Sequence, residues 1–169
     1  MSDSPSSAVA ASDPDPAPAS GTVDAEVTPA LNALLANATV FYQKVRHYHW
    51  NVTGPHFFTL HETFEALYDY WNDAIDELAE QVRSRGDRPV HTLADVLDLA
   101  SLDEDASTPP ADEMVRTVTK DLDALDAQAQ RLLAQAEAAG ASGTATVLSD
   151  LSERINDDRW MLRAWLNEL

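Results

Sequence analysis

The chain has 169 residues, 44% of them hydrophobic, with 29 acidic against 11 basic side chains and a formal net charge of -18. Such a charge repels nucleic acid, whose binding rests on Lys and Arg neutralising phosphates, and it attracts cations. There is no cysteine, which excludes disulfides, thiolate metal ligands and a cysteine nucleophile. No apolar run approaches the length needed to cross a membrane, and no secretory signal is visible, so a cytoplasmic protein is expected.

Residues 1–27 read as a disordered acidic tail. They are rich in Ser, Ala, Pro and Asp, hold four of the nine prolines, and contain no aromatic residue, Lys or Arg. Such a segment cannot bury enough apolar surface to offset its ordering entropy. Residues 28–169 read as one all-α domain. Thr28 is a plausible N-cap with Pro29 at the first helical position. Leu31, Leu34, Leu35, Ala38, Phe41, Val45, Tyr48 and Val52 then recur at three- and four-residue steps, which predicts a long amphipathic helix closed by Gly54-Pro55. Thr59-Leu-His-Glu62 resembles a capping box and opens a second helix to about Arg85, with Gly86 beyond. Thr92 and Asp95 open a short helix to Ala100. A third long helix follows Thr108-Pro109-Pro110 and stops at Gly140, and a fourth runs from about Thr144 to the C-terminus. Four long helices and no strand-like alternation suit an up-down four-helix bundle, with the short helix between the second and third long ones.

Several chemistries are missing. There is no glycine-rich phosphate loop, no G-x-S-x-G, no H-E-x-x-H and no E-x-x-H, the motif that builds a di-iron site inside a single ferritin-like bundle. What is present is a set of five potential ligands: His49, His61, Glu65, Asp76 and Glu80. With His61 at zero and roughly 100° per residue, Glu65 falls near 40°, Asp76 near 60° and Glu80 near 100°, all within one quarter of the second helix. Each pair is spaced i, i+4 and can close on one ion. Glu65 and Asp76, however, stand about 16 Å apart along the axis at the helical rise, and metal bonds to such ligands are about 2 Å. One chain cannot bring both pairs to one centre. A two-fold axis near residues 69–71 can, because it sets His61 and Glu65 of one chain against Asp76 and Glu80 of another. The turn after His49 folds it back beside His61. Nitrogen and carboxylate donors in this mixture suit Fe(II) better than Ca or Mg. Taken singly, each carboxylate also reads as part of a solvated face, and each histidine as a satisfied core residue. His47, His56 and His91 have no partner at ligand spacing and read as structural.

The stretch HWNVTGPHFFTLHETFEALYDYWNDAIDELAE, from His49 to Glu80, resembles the Dps family, the ferritin-like mini-ferritins that protect DNA during starvation. His49-Trp50, the run from Gly54 to Glu62, and the Asp76/Glu80 pair carry the likeness, with Arg88-Pro89 and Trp160-Met161-Leu162-Arg163-Ala164 in support. The resemblance implies a ferroxidase with a di-iron site shared across a two-fold subunit interface. His49, His61 and Glu65 would come from one subunit and Asp76 and Glu80 from its mate. Trp50 would stand beside the site and intercept stray oxidising equivalents. It further implies a homo-oligomer, a hollow dodecamer, that oxidises Fe(II) with hydrogen peroxide or dioxygen and stores ferric mineral. Asp69, near 80° on the ligand-bearing arc, is expected to line the two-fold axis or help nucleate mineral.

Three features depart from the pattern or qualify it. Glu65 stands where many members have Asp. Ser142, Thr144 and Thr146 occupy the start of the last helix, where many members carry acidic residues lining an iron pore; the nearest carboxylates are Glu137, Asp150 and Glu153. The tail is acidic where some members bind DNA through a basic one, so direct DNA binding is not expected. The alternatives are a nucleoid-associated DNA-binding protein with little ferroxidase activity, and a purely structural bundle. The lysine-poor, acidic composition also suggests a halophilic source.

Overall fold

The computed structural model describes residues 21–168, with side chains from residue 26 onward. The first twenty residues of the tail lie outside the described residues. Five helices follow in order: α1 Gly21–Asn51, α2 Phe57–Ser84, α3 Leu93–Leu99, α4 Ala111–Ala138 and α5 Ser142–Trp165. No strand occurs among the described residues. The result is a four-helix bundle with one short extra helix.

Sequence signals fixed some helix ends and missed others. Thr92 caps α3 as expected: its hydroxyl accepts from the Asp95 amide at 3.2 Å and donates to the Asp95 carboxylate at 2.5 Å. Gly86 and Gly140 follow α2 and α4 in the left-handed region, at φ 83° and 70°, which favours glycine. Two starts differ. α1 begins at Gly21, so Pro29 lies inside it rather than at its first position. Its ring faces solvent, and Val27, two residues earlier in the chain, is already fully buried. α2 begins at Phe57, with His56 at the N-cap and no side-chain cap. Thr59 does not cap it. Its carbonyl instead accepts from the Thr63 hydroxyl at 2.7 Å. Backbone bonds from the turn do the work: the Phe57 amide to the Gly54 carbonyl and the Leu60 amide to the His56 carbonyl.

The helices pack as two hairpins, α1 on α2 and α4 on α5, joined by α1 against α4, with α3 laid on α1. The α2–α5 seam is much slighter than either hairpin. The connection from α2 to α4 runs back along α1. Asn32, in the first half of α1, accepts from the Val90 amide at 2.7 Å. Asn37 accepts from the Ser101 and Leu102 amides and donates to Gln128 on α4. Near the end of α1, Tyr48 donates to Asp105 at 2.5 Å and His47 to the Ser107 carbonyl at 2.6 Å. The crossover therefore returns the chain to the end at which α2 began, and α4 runs in the same direction as α2.

The core is apolar, with Trp71, Tyr48, Phe41 and Phe64 its largest fully buried side chains. Phe41 meets Trp71 edge-on at 5.0 Å. One charge pair crosses it: Lys44 of α1 donates to Asp121 of α4 at 2.6 Å, both nearly sealed from solvent. The low polarity around such a pair makes each charge depend on the other.

Candidate metal centre

The site begins with the turn between α1 and α2. Gly54 adopts φ 98°, a conformation that L side chains rarely take. The hairpin it closes brings His49, in the last turn of α1, against His61, in the second turn of α2. The two rings stack with centroids 3.8 Å apart and an 18° tilt. Their bonding is reciprocal: His49 Nδ1 lies 2.9 Å from the His61 carbonyl, and His61 Nδ1 lies 2.9 Å from the His49 carbonyl. A carbonyl oxygen only accepts, so both Nδ1 atoms carry hydrogen. In the neutral rings each Nε2 then keeps its lone pair. That is the arrangement in which a histidine binds a metal through one nitrogen and is oriented by the other. Phe57 stacks on the outer side of His61 at 5.0 Å, and Tyr68 meets His49 edge-on at 5.2 Å. His49 is buried and His61 half-buried.

Glu65 lies one turn after His61, exposed, and accepts from the Tyr68 hydroxyl at 3.5 Å. Partial desolvation, followed by the Glu65 and Asp69 charges, pushes the Tyr68 phenol above its ordinary value. Asp69, Asp76 and Glu80 continue along α2, all exposed, and none forms an ion pair with another described residue. The fold thus joins His49 to His61 and sets Glu65 beside them. It does not bring Asp76 and Glu80 to that cluster within one chain. Among the described residues no group of three or more His, Cys, Asp or Glu side chains is poised to hold a metal. The donor types fit iron, but a single chain supplies an incomplete set.

Trp50, 57% exposed, has its ring covered by the Arg46 guanidinium at 5.0 Å. Arg46 also lies over Tyr42 at 5.2 Å and Tyr68 at 5.9 Å. Sequence reasoning passed over Arg46 and Tyr68. Their helical spacing was a usable signal: Arg46 is four residues from both Tyr42 and Trp50, and Tyr68 is seven from His61. The three other histidines are occupied elsewhere. His47 donates through Nε2 to Ser107 and accepts at Nδ1 from Asn51 at 3.0 Å. His56 packs edge-on against Trp165, and His91 Nδ1 bonds the Pro89 carbonyl. At the start of α5, Thr144 donates to Gln81 and Thr146 to the Ser142 carbonyl, so both hydroxyls are engaged within the chain.

Comparison with known proteins identifies the family. The ferritin-like domain family model matches residues 28–169. The DNA protection during starvation protein of Brevibacillus brevis is 41% identical over 80% of this chain and 91% of its own length. General stress protein 20U of Bacillus subtilis is 36% identical over 81% of this chain and 94% of its own. A crystal structure of a Dps protein from Bacillus brevis superposes with a TM-score of 0.83 at 39% identity, covering 86% of this chain and 97% of that one. The Dps protein from Vibrio cholerae, described as a member of a broad superfamily of ferritin-like diiron-carboxylate proteins, also gives 0.83, at 35% identity over 86% and 91%. A four-helix bundle with a short crossover helix, a family model that matches residues 28–169, and sequence relatives across nearly the whole bundle place the chain in the ferritin-like family, among its Dps proteins.

Proposed function

We propose that the protein is a cytoplasmic mini-ferritin that oxidises Fe(II) at sites shared between two subunits and stores the ferric product inside a closed homo-oligomer, a dodecamer. The observation that carries this reading is the reciprocal His49–His61 clasp, which leaves both Nε2 atoms as oriented donors. His49, His61 and Glu65 bind Fe(II) from one subunit, and Asp76 and Glu80 close the site from the other. Trp50, exposed at the rim, takes up stray oxidising equivalents.

The chemistry follows from electron counting. Each Fe(II) gives up one electron, whereas hydrogen peroxide takes two on reduction to water. A site that holds two Fe(II) ions reduces peroxide without releasing a one-electron radical. Dioxygen is the alternative oxidant. DNA is protected by removing both reactants of hydroxyl-radical formation. Direct DNA binding is not part of the proposal, since the net charge of -18 opposes it. The same charge supports a source whose cytosol is rich in salt.

The test is anaerobic Fe(II) addition followed by peroxide, with ferric absorbance and elution volume read together. Wild type should oxidise Fe(II) rapidly from a particle near twelve subunits, and Asp76→Ala/Glu80→Ala should not. Equal rates in both would show that this ligand set is wrong.

A further inference from the structure

One basic side chain stands among the aromatic rings beside the candidate ligands and has no carboxylate of its own. Arg46, half-buried on α1, holds its guanidinium 5.0 Å from the centre of the Trp50 ring, 5.2 Å from Tyr42 and 5.9 Å from Tyr68. It forms no ion pair with another described residue. We propose that Arg46 is a positioning residue that passes stray oxidising equivalents from Trp50 to Tyr68, where they come to rest as a neutral tyrosyl radical beside Glu65. The inference rests on the ferroxidase reading and deepens it: Trp50 takes up the equivalent, and Tyr68 is where it stops.

The three caged rings differ in what happens to a proton. Loss of one electron leaves an aromatic ring as a radical cation unless a proton departs as well. A guanidinium over a neutral ring is attracted by the π electrons. The same guanidinium repels a ring that has become positive. Trp50 is 57% exposed, and its indole N–H has only solvent as an acceptor among the described residues. The Tyr42 hydroxyl likewise has no partner there. Of the three, only the Tyr68 hydroxyl faces a carboxylate, Glu65 Oε1 at 3.5 Å. Its oxidation sheds the proton to that carboxylate and leaves a neutral radical, which Arg46 does not oppose. Trp50 is the ring closest to the guanidinium and Tyr68 the farthest, so the repulsion is greatest where no base stands ready. The path is short. Tyr68 meets His49 edge-on at 5.2 Å and Tyr42 at 6.2 Å, and Trp50 is the next residue after His49.

The relay matters when a site holds one Fe(II) instead of two. Hydrogen peroxide takes two electrons and two protons on reduction to two waters, and a single Fe(II) supplies one electron. The other comes from Tyr68. Its O–H bond breaks, the electron travels by way of Trp50 to the peroxide-derived oxygen, and the proton goes to Glu65. The step therefore converts Fe(II), H2O2, the phenol and one proton into Fe(III), the phenoxyl radical and two waters. A later Fe(II), with one proton, restores the phenol and becomes Fe(III). The sum is two Fe(II) per peroxide, the same as for a filled site, and no hydroxyl radical leaves.

The experiment has two arms, both on the full chain. In the first, the protein is loaded anaerobically with one Fe(II) per site, mixed with peroxide and frozen for electron paramagnetic resonance. Ring-deuterated tyrosine and tryptophan, incorporated in turn, tell phenoxyl from indolyl signals. The second arm uses no iron: flash photo-oxidation by a ruthenium(II) polypyridyl with a sacrificial electron acceptor. It is run in a Trp160→Phe background, because Trp160 is the other indole more than half exposed. In both arms wild type should give a tyrosyl radical. Tyr68→Phe should lose it and leave the signal on Trp50, and Tyr42→Phe should keep it. Arg46→Met should raise the ratio of indolyl to tyrosyl signal by at least about tenfold. Arg46→Lys, which keeps the charge, should restore the wild-type ratio. A ratio unmoved in Arg46→Met, or a tyrosyl signal that survives Tyr68→Phe, overturns the proposal. No Fe(II) oxidation in the first arm, with the expected partition in the second, would refute the ferroxidase reading and leave the relay standing. Fast Fe(II) oxidation with a partition indifferent to Arg46 would do the reverse.

Discussion

Two polar regions of the bundle treat charge in opposite ways. Between α4 and α5 acids and bases are matched inside the chain. Arg159 pairs with Asp126 at 2.8 Å and Asp123 at 3.0 Å, Arg163 adds a contact to Asp123, and Arg116 pairs with Glu168. Lys44 and Asp121 do the same deeper in the core, between α1 and α4. Along the outer face of α2, Glu65, Asp69, Asp76 and Glu80 have no such counterpart among the described residues, and His49 and His61 each use only Nδ1 in their mutual clasp. The contrast teaches that the excess acidity is not a uniform coat. Where stability is at stake the chain supplies its own counter-charges. On α2 it leaves a concentrated anionic strip without counter-charges among the described residues.

The sharpest way to break this comparison is to remove one member of a matched pair. Lys44→Met should strand the buried Asp121 carboxylate and lower unfolding free energy by about 3–5 kcal/mol. Lys44→Met/Asp121→Leu should recover most of the loss, measured by urea unfolding. If the single variant is as stable as wild type, the core pair is not a matched pair in the sense argued here. On the unmatched face the outcome reverses. His49→Ala/His61→Ala should cut Fe(II) oxidation by at least about 100-fold, while far-UV circular dichroism stays that of a helical bundle. Loss of folding would mean that the histidines serve the core first.

A third measurement sharpens the same contrast. Raising salt from about 0.1 M to 1 M shortens the screening length from about 10 Å to 3 Å. The melting temperature of wild type should rise by several degrees as the α2 strip and the remaining surface acids stop repelling. Neutralising Glu65, Asp69, Asp76 and Glu80 together should remove a visible part of that rise. An unchanged salt response would show that the strip does not dominate the self-repulsion.

The fold was legible in the sequence because it depends on periodicity. The apolar residues of α2 recur at helical spacing, and Leu60, Phe64, Leu67, Trp71, Leu78 and Val82 are all buried. The candidate ligands were visible for the same reason, since angle and rise follow from residue number alone. What escaped were features set by the returning chain. Lys44 meets Asp121 across 77 positions, Tyr48 meets Asp105 across 57, and no local pattern announces either. Helix starts misled wherever a local motif competed with tertiary contact. Thr28-Pro29 looked like a beginning because Pro suits the first turn, yet the helix extends through it, with Val27 already packed in the core. Thr59 to Glu62 had the letters of a capping box, but the turn at Gly54 put the N-cap of α2 three residues earlier, at His56.

The smallest expected effect concerns the crossover clamp beside the site. Asp105 accepts from the Ser107 hydroxyl at 2.6 Å, the Ser107 amide at 2.8 Å and the Tyr48 hydroxyl at 2.5 Å. These bonds, the Ser107 side chain first and Tyr48 next, hold its carboxyl down to about 2. The folded value lies below the ordinary one. The stabilisation is therefore complete above the ordinary carboxylate value near 3.8 and is lost as pH falls through about 2. Asp105→Asn should cost on the order of 1 kcal/mol at neutral pH, after allowing for solvent screening of a part-exposed group. It should also flatten the stability curve between about pH 4 and 2. Asp158 works against this trend, because burial pushes its carboxyl up and folding gains as it protonates. The two effects separate when variant and wild-type curves are subtracted, since Asp158 is common to both. A difference curve without slope in that interval would show that the clamp, and with it the seating of residues 105–107 against Tyr48 and His47, does not depend on the ionised Asp105.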